Sequence, residues 1–359
     1  MVTGNQFRKC DGILVVGGGS FGTSMASLLA TKFHKKNIKV VLKVRSKDTY
    51  EALKLGKNEA YLSGMTLQKE IIPVLNWAQV LEEFPDGPSV IVSGLPSNAI
   101  KEFFTENWNY FHQLFKKNIP LVCLSKGIDV ETLHLPDDIY SEIFPGFEHL
   151  FTYLSGPSFA SEIVAQQITC VSIAGKSRST LLYVTDFLQT SYFRPFPTYD
   201  IKGVLLGGAL KNVLAIAGGI LEGLGYNHNT RAAMISRGIE EMLRFGIVFN
   251  ARPETFYGLS GMGDLILTTT GEGSRNKKFG IEISQGKSAN EILANHRHVV
   301  EGYKTALAAH KMIKLYEIRA QLFNSVYKIL YENVSPKMMV SEMMKTPIKF
   351  GDSYLDFSL

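Results

Sequence analysis

The first half of the chain alternates short apolar runs with longer stretches whose apolar residues recur at helical spacing. The short runs are rich in β-branched residues, carry Gly, Pro or Ser at or near their ends, and cover residues 13–17, 38–44, 89–94 and 119–125. A helical pattern closed by lysines separates the first two. This alternation predicts a parallel β-sheet with helices on both faces.

The pattern changes after about residue 200. Long helical stretches then dominate, at 203–223, 228–250 and 302–317, with hardly any strand-like run between them. The segment RPFPTYD, with two prolines, precedes the change. The sequence therefore predicts an α/β domain over residues 1–198 and an all-helical domain over residues 199–359.

The run GVLLGGALKNVLAIAGGIL, residues 203–221, is long enough to span a membrane. Lys211 and Asn212 lie at its middle, however, where a charge is unfavourable in lipid, and no aromatic belt flanks it. We expect a helix buried within the protein instead.

Composition supports a folded protein, because 45% of the 359 residues are apolar and 20% are charged. This length favours two domains. The net charge of +5 suggests an anionic partner but not a polyanion. The three cysteines, Cys10, Cys123 and Cys170, lack metal-ligand spacing, so we expect no metal site and a reducing compartment. The N-terminus lacks a signal-peptide pattern, which favours the cytoplasm.

A glycine-rich turn follows the first predicted strand and precedes a helical pattern. Gly17, Gly19 and Gly22 meet the G-x-G-x-x-G spacing. These glycines permit a tight turn, close approach of backbone to a diphosphate, and close packing of helix on strand. The diphosphate would lie at the helix N-terminus, where free N–H groups favour anions. This context predicts dinucleotide binding.

Basic residues end the second predicted strand. The basic residues are Lys43, Arg45 and Lys47. The first acidic residue after this strand is Asp48. NAD-selective sites usually place Asp or Glu here for the ribose 2′-hydroxyl. Arg45 could instead pair with the 2′-phosphate of NADP or stack on adenine, unless the segment is a solvated basic loop. The choice between NAD and NADP stays open.

Two segments of the first domain are candidates for ligand binding. Lys126 and Gly127 follow the fourth predicted strand, at the sheet edge where open α/β folds bind ligands, although a solvated surface lysine is the alternative. The segment SGPSFASEI, residues 155–163, joins a strand to a helix. Ser158 could cap that helix or bind a ligand.

Lys211 is the most specific candidate for chemistry. Desolvation in a nearly all-apolar helix would lower its pKa and make it a proton donor and acceptor near neutrality, with Asn212 as a hydrogen-bonding neighbour. The alternative is a structural lysine paired with a buried carboxylate.

A glycine- and threonine-rich segment, residues 257–280, carries polar candidates. Asp264 lies in its first half, and Ser274, Arg275 and Asn276 lie in its second. A planar arginine beside a serine and an asparagine suits a phosphate, although SRNKK could also be an ordinary basic turn.

With these motifs in order, the sequence resembles the NAD(P)-dependent glycerol-3-phosphate dehydrogenases of bacterial and plastid type. The resemblance covers about residues 13–317 and comprises GGGSFGT, VR, YLSG, SKGI, SGPSFASE, GGALKNVLAIAGGILEGLG, RAAMISRGIEEM, GLSGMGDL, SRNKKFG and VVEGYKTA. It implies a Rossmann-like N-terminal domain and an all-α C-terminal domain, as in 6-phosphogluconate dehydrogenase. It also implies a homodimer.

The resemblance assigns roles residue by residue. Catalysis falls to Lys211, Lys126 and Asp264, with Lys211 as the proton acceptor. The implied substrate-binding residues are Lys126, Gly156, Ser158, Lys211, Asn212, Asp264, Ser274, Arg275 and Asn276. The implied NAD or NADP site comprises Gly17, Gly19, Ser20, Phe21, Gly22, Arg45, Lys126, Ala160, Arg275, Val299 and Glu301, of which Val299 and Glu301 come from the resemblance alone.

The sequence departs from the family pattern in three places. Lys43 stands where many members carry an aromatic residue, SRNKK replaces the more usual SRNRR, and about the last forty residues match no motif. The first departure bears on cofactor preference, and none changes Lys211.

The implied reaction is the reversible reduction of dihydroxyacetone phosphate to sn-glycerol 3-phosphate by NAD(P)H, which connects glycolysis with glycerophospholipid synthesis. Arg275 and Asn276 would hold the phosphate, Lys211 would protonate the carbonyl oxygen, and Asp264 would orient Lys211 or a substrate hydroxyl.

The alternative functions are a dehydrogenase of 6-phosphogluconate, a non-catalytic dinucleotide sensor and a nucleic-acid binder. The set of Lys211, Asp264 and Arg275 argues against the sensor. The chain lacks the aromatic-interleaved basic patches or zinc module that favour nucleic-acid binding.

Overall fold

The computed structural model of the chain describes Phe7 and residues 11–36, 38–295 and 300–345. These residues divide into two compact units. The first comprises the chain up to Lys126 together with Pro136–Ile201, and the second comprises Gly127–Leu135 together with the chain from Lys202 onward. The sequence did not predict that Gly127–Leu135 belongs to the second unit. The domain boundary after residue 198 stays a prediction.

The first unit contains one eight-stranded sheet. Its strands are β1 Gly12–Val16, β2 Lys39–Lys43, β3 Ile71–Val74, β4 Val90–Ser93, β5 Leu121–Cys123, β6 Phe151–Ser155, β7 Thr169–Gly175 and β8 Phe193–Thr198. The strand order is β3-β2-β1-β4-β5-β6-β7-β8. Neighbouring strands are parallel except β6 and β7, which are antiparallel.

The helices of this unit follow the strands as the sequence pattern predicts. They are α1 Ser20–Phe33, α2 Lys47–Lys54, α3 Trp77–Glu83, α4 Ile100–Glu106, α5 Trp108–Lys116, α6 Pro136–Ile143, α7 Ala160–Val164 and α8 Arg178–Leu188. All residues of β1 and β4 are buried, as expected of parallel strands covered on both faces. The carboxyl ends of β1, β4 and β5 thereby share one edge of the sheet.

Both edge strands of the sheet contain proline. Pro73 lies in β3, and Pro195 and Pro197 lie in β8. Because proline has no N–H group, it is tolerated in a strand mainly at a sheet edge. Pro195 and Pro197, which the sequence places next to the predicted domain boundary, belong to a strand paired with β7.

The second unit is helical in its described part. Its elements are α9 Ile201–Gly223, α10 His228–Val248, α11 Pro253–Tyr257, a π-helix Leu259–Gly263, α12 Asp264–Thr270, α13 Arg275–Ser284, α14 Ala289–Asn295, α15 Glu301–Leu315, α16 Gln321–Tyr331 and α17 Pro336–Met344. The first residue of α9 belongs to the other unit. The three helices predicted by periodicity correspond to α9, α10 and α15.

Helix α9 is a core helix. It is long and apolar enough to cross a membrane, and it is the one helix of that kind in the part of the chain that the structure describes. Of its most apolar window, however, 94% is buried inside the protein. The burial agrees with the sequence prediction, and the α/β unit followed by a helical unit confirms the predicted fold class.

Candidate active site

The glycine-rich turn connects β1 to α1. Gly17 has φ +106°, a conformation that L side chains rarely adopt, and its N–H donates to the Lys43 oxygen at 3.0 Å. A Cβ at Gly22 would collide with the Gly17 oxygen. A Cβ at Gly19 would instead meet no atom within 4 Å. The fold therefore explains the first and third glycines, whereas the second leaves open space that suits a ligand.

The N-terminus of α1 is suited to an anion. Its N-cap, Gly19, provides no side-chain hydrogen bond, and the first turn contains no acidic residue. The unpaired N–H groups and the helix dipole of this 14-residue helix therefore favour a negative group. The Ser20 hydroxyl, in the first turn, donates to the backbone carbonyl oxygen of Tyr61 at 3.1 Å.

The structure brings three predicted residues of the first unit, Phe21, Lys126 and Ser158, together around Gly156. Lys126 Nζ donates to the Gly156 oxygen at 3.1 Å and lies 5.7 Å from the ring centroid of Phe21. The Ser158 hydroxyl donates to the same oxygen at 2.8 Å. Ser158 is not the helix cap, because α7 begins at Ala160 with Phe159 as its N-cap. Ala160, half-buried like Lys126, is the first residue of α7.

The two basic residues at the end of β2 have different surroundings. Lys43 is half-buried, with its Nζ 5.7 Å from the ring centroid of Trp77, and it donates to the Val44 oxygen at 3.2 Å. Burial lowers the pKa of Lys43. Arg45 is exposed. Arg45, rather than Lys43, is therefore accessible to a ligand.

In the second unit, Lys211 is buried beside a carboxylate. Its Nζ donates to Asp264 Oδ1 at 2.6 Å and to the Thr268 hydroxyl at 2.8 Å. The three residues are 7%, 1% and 4% exposed. Charge compensation therefore allows an ammonium to exist in the interior. The structure therefore shows the pairing of Lys211 with a buried carboxylate, and its role as a proton donor and acceptor stays a prediction.

Asp264 reaches Lys211 because of the elements that precede it. It is the first residue of α12 and directly follows the π-helix, in which Gly263 N–H donates to the Gly258 oxygen at 3.1 Å. Thr268 lies one turn later, and its hydroxyl donates to the backbone carbonyl oxygen of Asp264 at 2.6 Å. Sequence reasoning missed Thr268. No helix was predicted over this segment, so its spacing of four residues from Asp264 gave no signal.

Next to Lys211 in the chain, Asn212 joins a network of amides. Asn276 Nδ2 donates to Asn212 Oδ1 at 2.9 Å, and Asn212 Nδ2 donates to Glu301 Oε2 at 3.4 Å. Asn276 Oδ1 in turn accepts the N–H of Gly302 at 3.0 Å. Three predicted residues are thus joined, including Glu301, which came from the resemblance alone.

The remaining predicted residues lie at the start of α13 or outside the described residues. Ser274 is the N-cap of α13 and accepts the Lys277 N–H at 3.2 Å. Arg275, the first residue of this ten-residue helix, is exposed. A guanidinium at a helix N-terminus suits a phosphate. Val299 lies outside the described residues.

Each unit thus offers a distinct chemistry. The first presents an uncapped helix N-terminus beside an open glycine, with an accessible arginine and a half-buried lysine. The second presents a buried, charge-compensated lysine that can donate or accept a proton, together with an amide network and an exposed arginine. The first set of groups favours an anion, and the second can exchange a proton with a bound ligand.

Sequence profiles of one family match nearly the whole chain. The profile described as NAD-dependent glycerol-3-phosphate dehydrogenase N-terminus matches residues 12–181, and the one described as the C-terminus of the same enzyme matches residues 200–341. Together they cover both units.

Individual relatives show the same similarity. The glycerol-3-phosphate dehydrogenase (NAD(P)+) of Citrifermentans bemidjiense is 38% identical over 343 residues, which are 94% of this chain and 98% of that protein. The enzyme of the same name from Leptospira biflexa is 38% identical over 337 residues, 93% and 98% of the two chains.

Solved structures are similar as well. The glycerol-3-phosphate dehydrogenase of Coxiella burnetii has a TM-score of 0.83 and 30% identity, over 94% of this chain and 99% of that one. The Plasmodium falciparum glycerol-3-phosphate dehydrogenase has a TM-score of 0.81 over 96% and 98% of the two chains, and its 21% identity supports the fold alone.

Proposed function

Because the chain belongs to the family of NAD-dependent glycerol-3-phosphate dehydrogenases, we propose that it interconverts dihydroxyacetone phosphate and sn-glycerol 3-phosphate with NAD(H) or NADP(H). The observation that carries this proposal beyond family membership is the buried Lys211, which lies 2.6 Å from Asp264. A dinucleotide-binding module without catalysis has no need of such a pair.

The residues of the first unit fit a dinucleotide. The open space at Gly19 and the uncapped N-terminus of α1 suit its diphosphate, with Ser20 and Phe21 in the same turn. Arg45 and Lys126 provide cations at two further points. When bound, the reduced nicotinamide supplies the hydride that the carbonyl carbon C2 of dihydroxyacetone phosphate receives.

Lys211 is the residue that moves the proton. As an ammonium it donates a hydrogen bond to the C2 oxygen of dihydroxyacetone phosphate and transfers a proton to it as negative charge develops there. In the reverse direction the neutral amine accepts the hydroxyl proton of glycerol 3-phosphate. Asp264 and Thr268 hold Nζ in place, and the Asp264 carboxylate stabilises the charged form.

The start of α13 supplies the phosphate-binding groups. Arg275 is exposed in the first turn, where the helix dipole also favours an anion, and Ser274 and Asn276 flank it. Asn276 is in turn held by Asn212 at 2.9 Å. We assign the triose phosphate to this segment, with Lys126, Gly156 and Ser158 as the further substrate residues that the family pattern implies.

The wider context of the enzyme is also a proposal. Family resemblance supports a cytoplasmic homodimer that links glycolysis with glycerophospholipid synthesis, and the cysteine pattern fits a reducing compartment. Light scattering of the purified protein would test the dimer, because a single species at the mass of one 39.9 kDa chain would contradict it.

The direct test is steady-state reduction of dihydroxyacetone phosphate with NADH and NADPH in parallel. We expect turnover with at least one of them, and the ratio of the two kcat/KM values gives the cofactor preference. Oxidation of 6-phosphogluconate serves as the control reaction. Activity on that sugar acid without activity on dihydroxyacetone phosphate would place the enzyme in another dehydrogenase class, and cofactor binding without either reaction would indicate a sensor.

A further inference from the structure

A buried asparagine holds the glycine-rich turn. Asn58, between α2 and β3, is 1% exposed. Its Nδ2 donates to the Gly18 oxygen at 3.0 Å, across 40 residues of sequence, and to the Thr23 hydroxyl at 2.9 Å. The Thr23 hydroxyl donates to the same Gly18 oxygen at 3.2 Å. Two side chains therefore hold the Gly18 carbonyl in one direction.

The direction of this carbonyl determines the direction of the next N–H. The Gly18 carbonyl and the Gly19 N–H belong to one peptide group, and no cis peptide bond occurs among the described residues. In a trans peptide, the C=O and N–H bonds point in opposite directions. The Gly19 N–H therefore points away from Asn58 and Thr23. The space around Gly19 is open, since a Cβ there would meet no atom within 4 Å.

The segment that carries Asn58 is attached to the turn at a second point. The backbone carbonyl oxygen of Asn58 accepts the N–H groups of Tyr61 and Leu62 at 3.0 and 2.7 Å. The backbone carbonyl oxygen of Tyr61 in turn accepts a hydrogen bond from the Ser20 hydroxyl at 3.1 Å. Leu62 is 4% exposed and anchors the segment in the core. The segment thus contacts the turn on both sides of Gly19, which keeps the Asn58 amide in a fixed position.

We propose that Asn58 is a positioning residue, which holds the glycine-rich turn in the conformation that binds the diphosphate of the dinucleotide. It acts through Gly18 and need not touch the cofactor. The inference rests on the proposed dinucleotide-dependent function. Both hydrogens of its amide are used, one by Gly18 and one by Thr23. A carboxylate of the same size has no such hydrogens and would repel both the carbonyl and the diphosphate.

The test compares Asn58→Asp and Asn58→Ala with wild type. Asn109→Asp, at an exposed position of α5, is the matched control for the added charge. The Kd of NADH is measured by fluorescence and the Ki of ADP by competition. The kcat and the KM of dihydroxyacetone phosphate are measured at saturating NADH. For Asn58→Asp we expect both NADH and ADP to bind about tenfold or more weakly. The reason is that a displaced Gly19 N–H would lose its hydrogen bond to the charged diphosphate.

Because a positioning role concerns only the dinucleotide, we expect kcat and the KM of dihydroxyacetone phosphate to stay within about twofold of wild type. Asn58→Ala should weaken NADH and ADP less than Asn58→Asp does. If Asn58→Asp fails to fold, Asn58→Ala is judged by the same comparison, with thermal unfolding as the check on folding.

Several results would overturn the inference. Unchanged binding of NADH and ADP in the Asn58 variants would exclude the role, as would weaker NADH binding with unchanged ADP binding. A parallel loss of kcat would indicate a general structural role. If wild type itself bound neither NADH nor ADP, the proposed function would fail first. If wild type is active and the Asn58 variants bind NADH and ADP as wild type does, only the positioning role of Asn58 fails, and the proposed function stands.

Discussion

Lys211 Nζ lies 2.6 Å from Asp264 Oδ1, and the two side chains keep only 9% and 1% of their exposure. A lone ammonium at the centre of the apolar helix α9 would be strongly unfavourable, and the carboxylate at the start of α12 compensates its charge. The pair therefore makes a charged proton donor compatible with a dry interior. Each residue is needed for the other to stay charged.

Replacing Lys211 should abolish turnover and leave cofactor binding intact. Lys211→Met keeps the length of the side chain but removes its proton, so we expect kcat to fall about 1,000-fold, within the range for loss of general acid–base catalysis. The Kd of NADH should change by less than about twofold, because Lys211 is not among the residues assigned to the nucleotide site.

Lys337→Met, an exposed lysine on α17, is the control and should retain wild-type activity. Steady-state kinetics and fluorescence titration of NADH give the two quantities. If Lys211→Met kept a kcat close to that of wild type, Lys211 would not be the proton donor.

Asp264→Asn should lower stability as well as activity. The change keeps the shape of the side chain but leaves the buried Lys211 ammonium without its counter-charge. Breaking a buried pair in this way costs about 3–5 kcal/mol in the free energy of unfolding. Urea unfolding followed by circular dichroism measures this loss.

The double variant Lys211→Met, Asp264→Asn supplies the control. Because it has no uncompensated charge, it should be more stable than Asp264→Asn alone. If Lys211→Met changed the free energy of unfolding equally in wild type and in Asp264→Asn, the two residues would not interact energetically.

Glu241 should make stability depend on pH. This buried carboxylate on α10 accepts the N–H groups of Leu322 and Phe323 at the start of α16, at 2.9 and 3.2 Å. Burial raises the pKa of Glu241 from 4.5 to about 7, although these N–H groups oppose the shift. The folded protein therefore binds an extra proton between these values. Stability should fall by about 3 kcal/mol as pH rises through this window and then level off.

Glu241→Gln cannot titrate, so its stability should lack this fall between pH 4.5 and about 7. Urea midpoints at pH 5 and pH 8 compare the variant with wild type, and the exposed Glu332→Gln serves as the control. An identical pH dependence in wild type and Glu241→Gln would show that this carboxyl does not titrate in the window.

Arg45 should contribute to NADPH binding more than to NADH binding. The guanidinium is exposed beyond the end of β2, where a 2′-phosphate can reach it. Arg45→Ala should raise the KM of NADPH about tenfold, in line with the loss of a charge-assisted hydrogen bond, and that of NADH by less than about threefold. Lys47→Ala, an exposed neighbour, is the matched control. Equal effects on the KM of the two cofactors would indicate that Arg45 does not bind the 2′-phosphate of NADPH.

Local patterns account for the parts of the fold that the sequence predicted. The β1–turn–α1 unit and helix α9 were evident because their signals lie within one segment of chain. Strand β8 was not predicted, because its two prolines disfavour a strand unless that strand lies at a sheet edge. Position in the sheet is a tertiary property that a local pattern does not contain.

The candidate site shows the same limit. Lys211 and Asp264 were each identified, but their pairing spans 53 residues, so sequence alone left the structural and catalytic interpretations of Lys211 unseparated. Asn58 gave no signal, because its partner Gly18 is 40 residues away and the amide has no motif of its own. Thr268 was hidden in a run of threonines.

The π-helix before Asp264 makes chain length itself a requirement of the site. Its wider turn accommodates one residue more than an α-helical turn, and one residue corresponds to a rotation of about 100°. Removing a single residue from Leu259–Gly263 would therefore rotate the Asp264 carboxylate away from α9. The number of residues in this segment, and not only their identity, therefore fixes the direction of the counter-ion of Lys211.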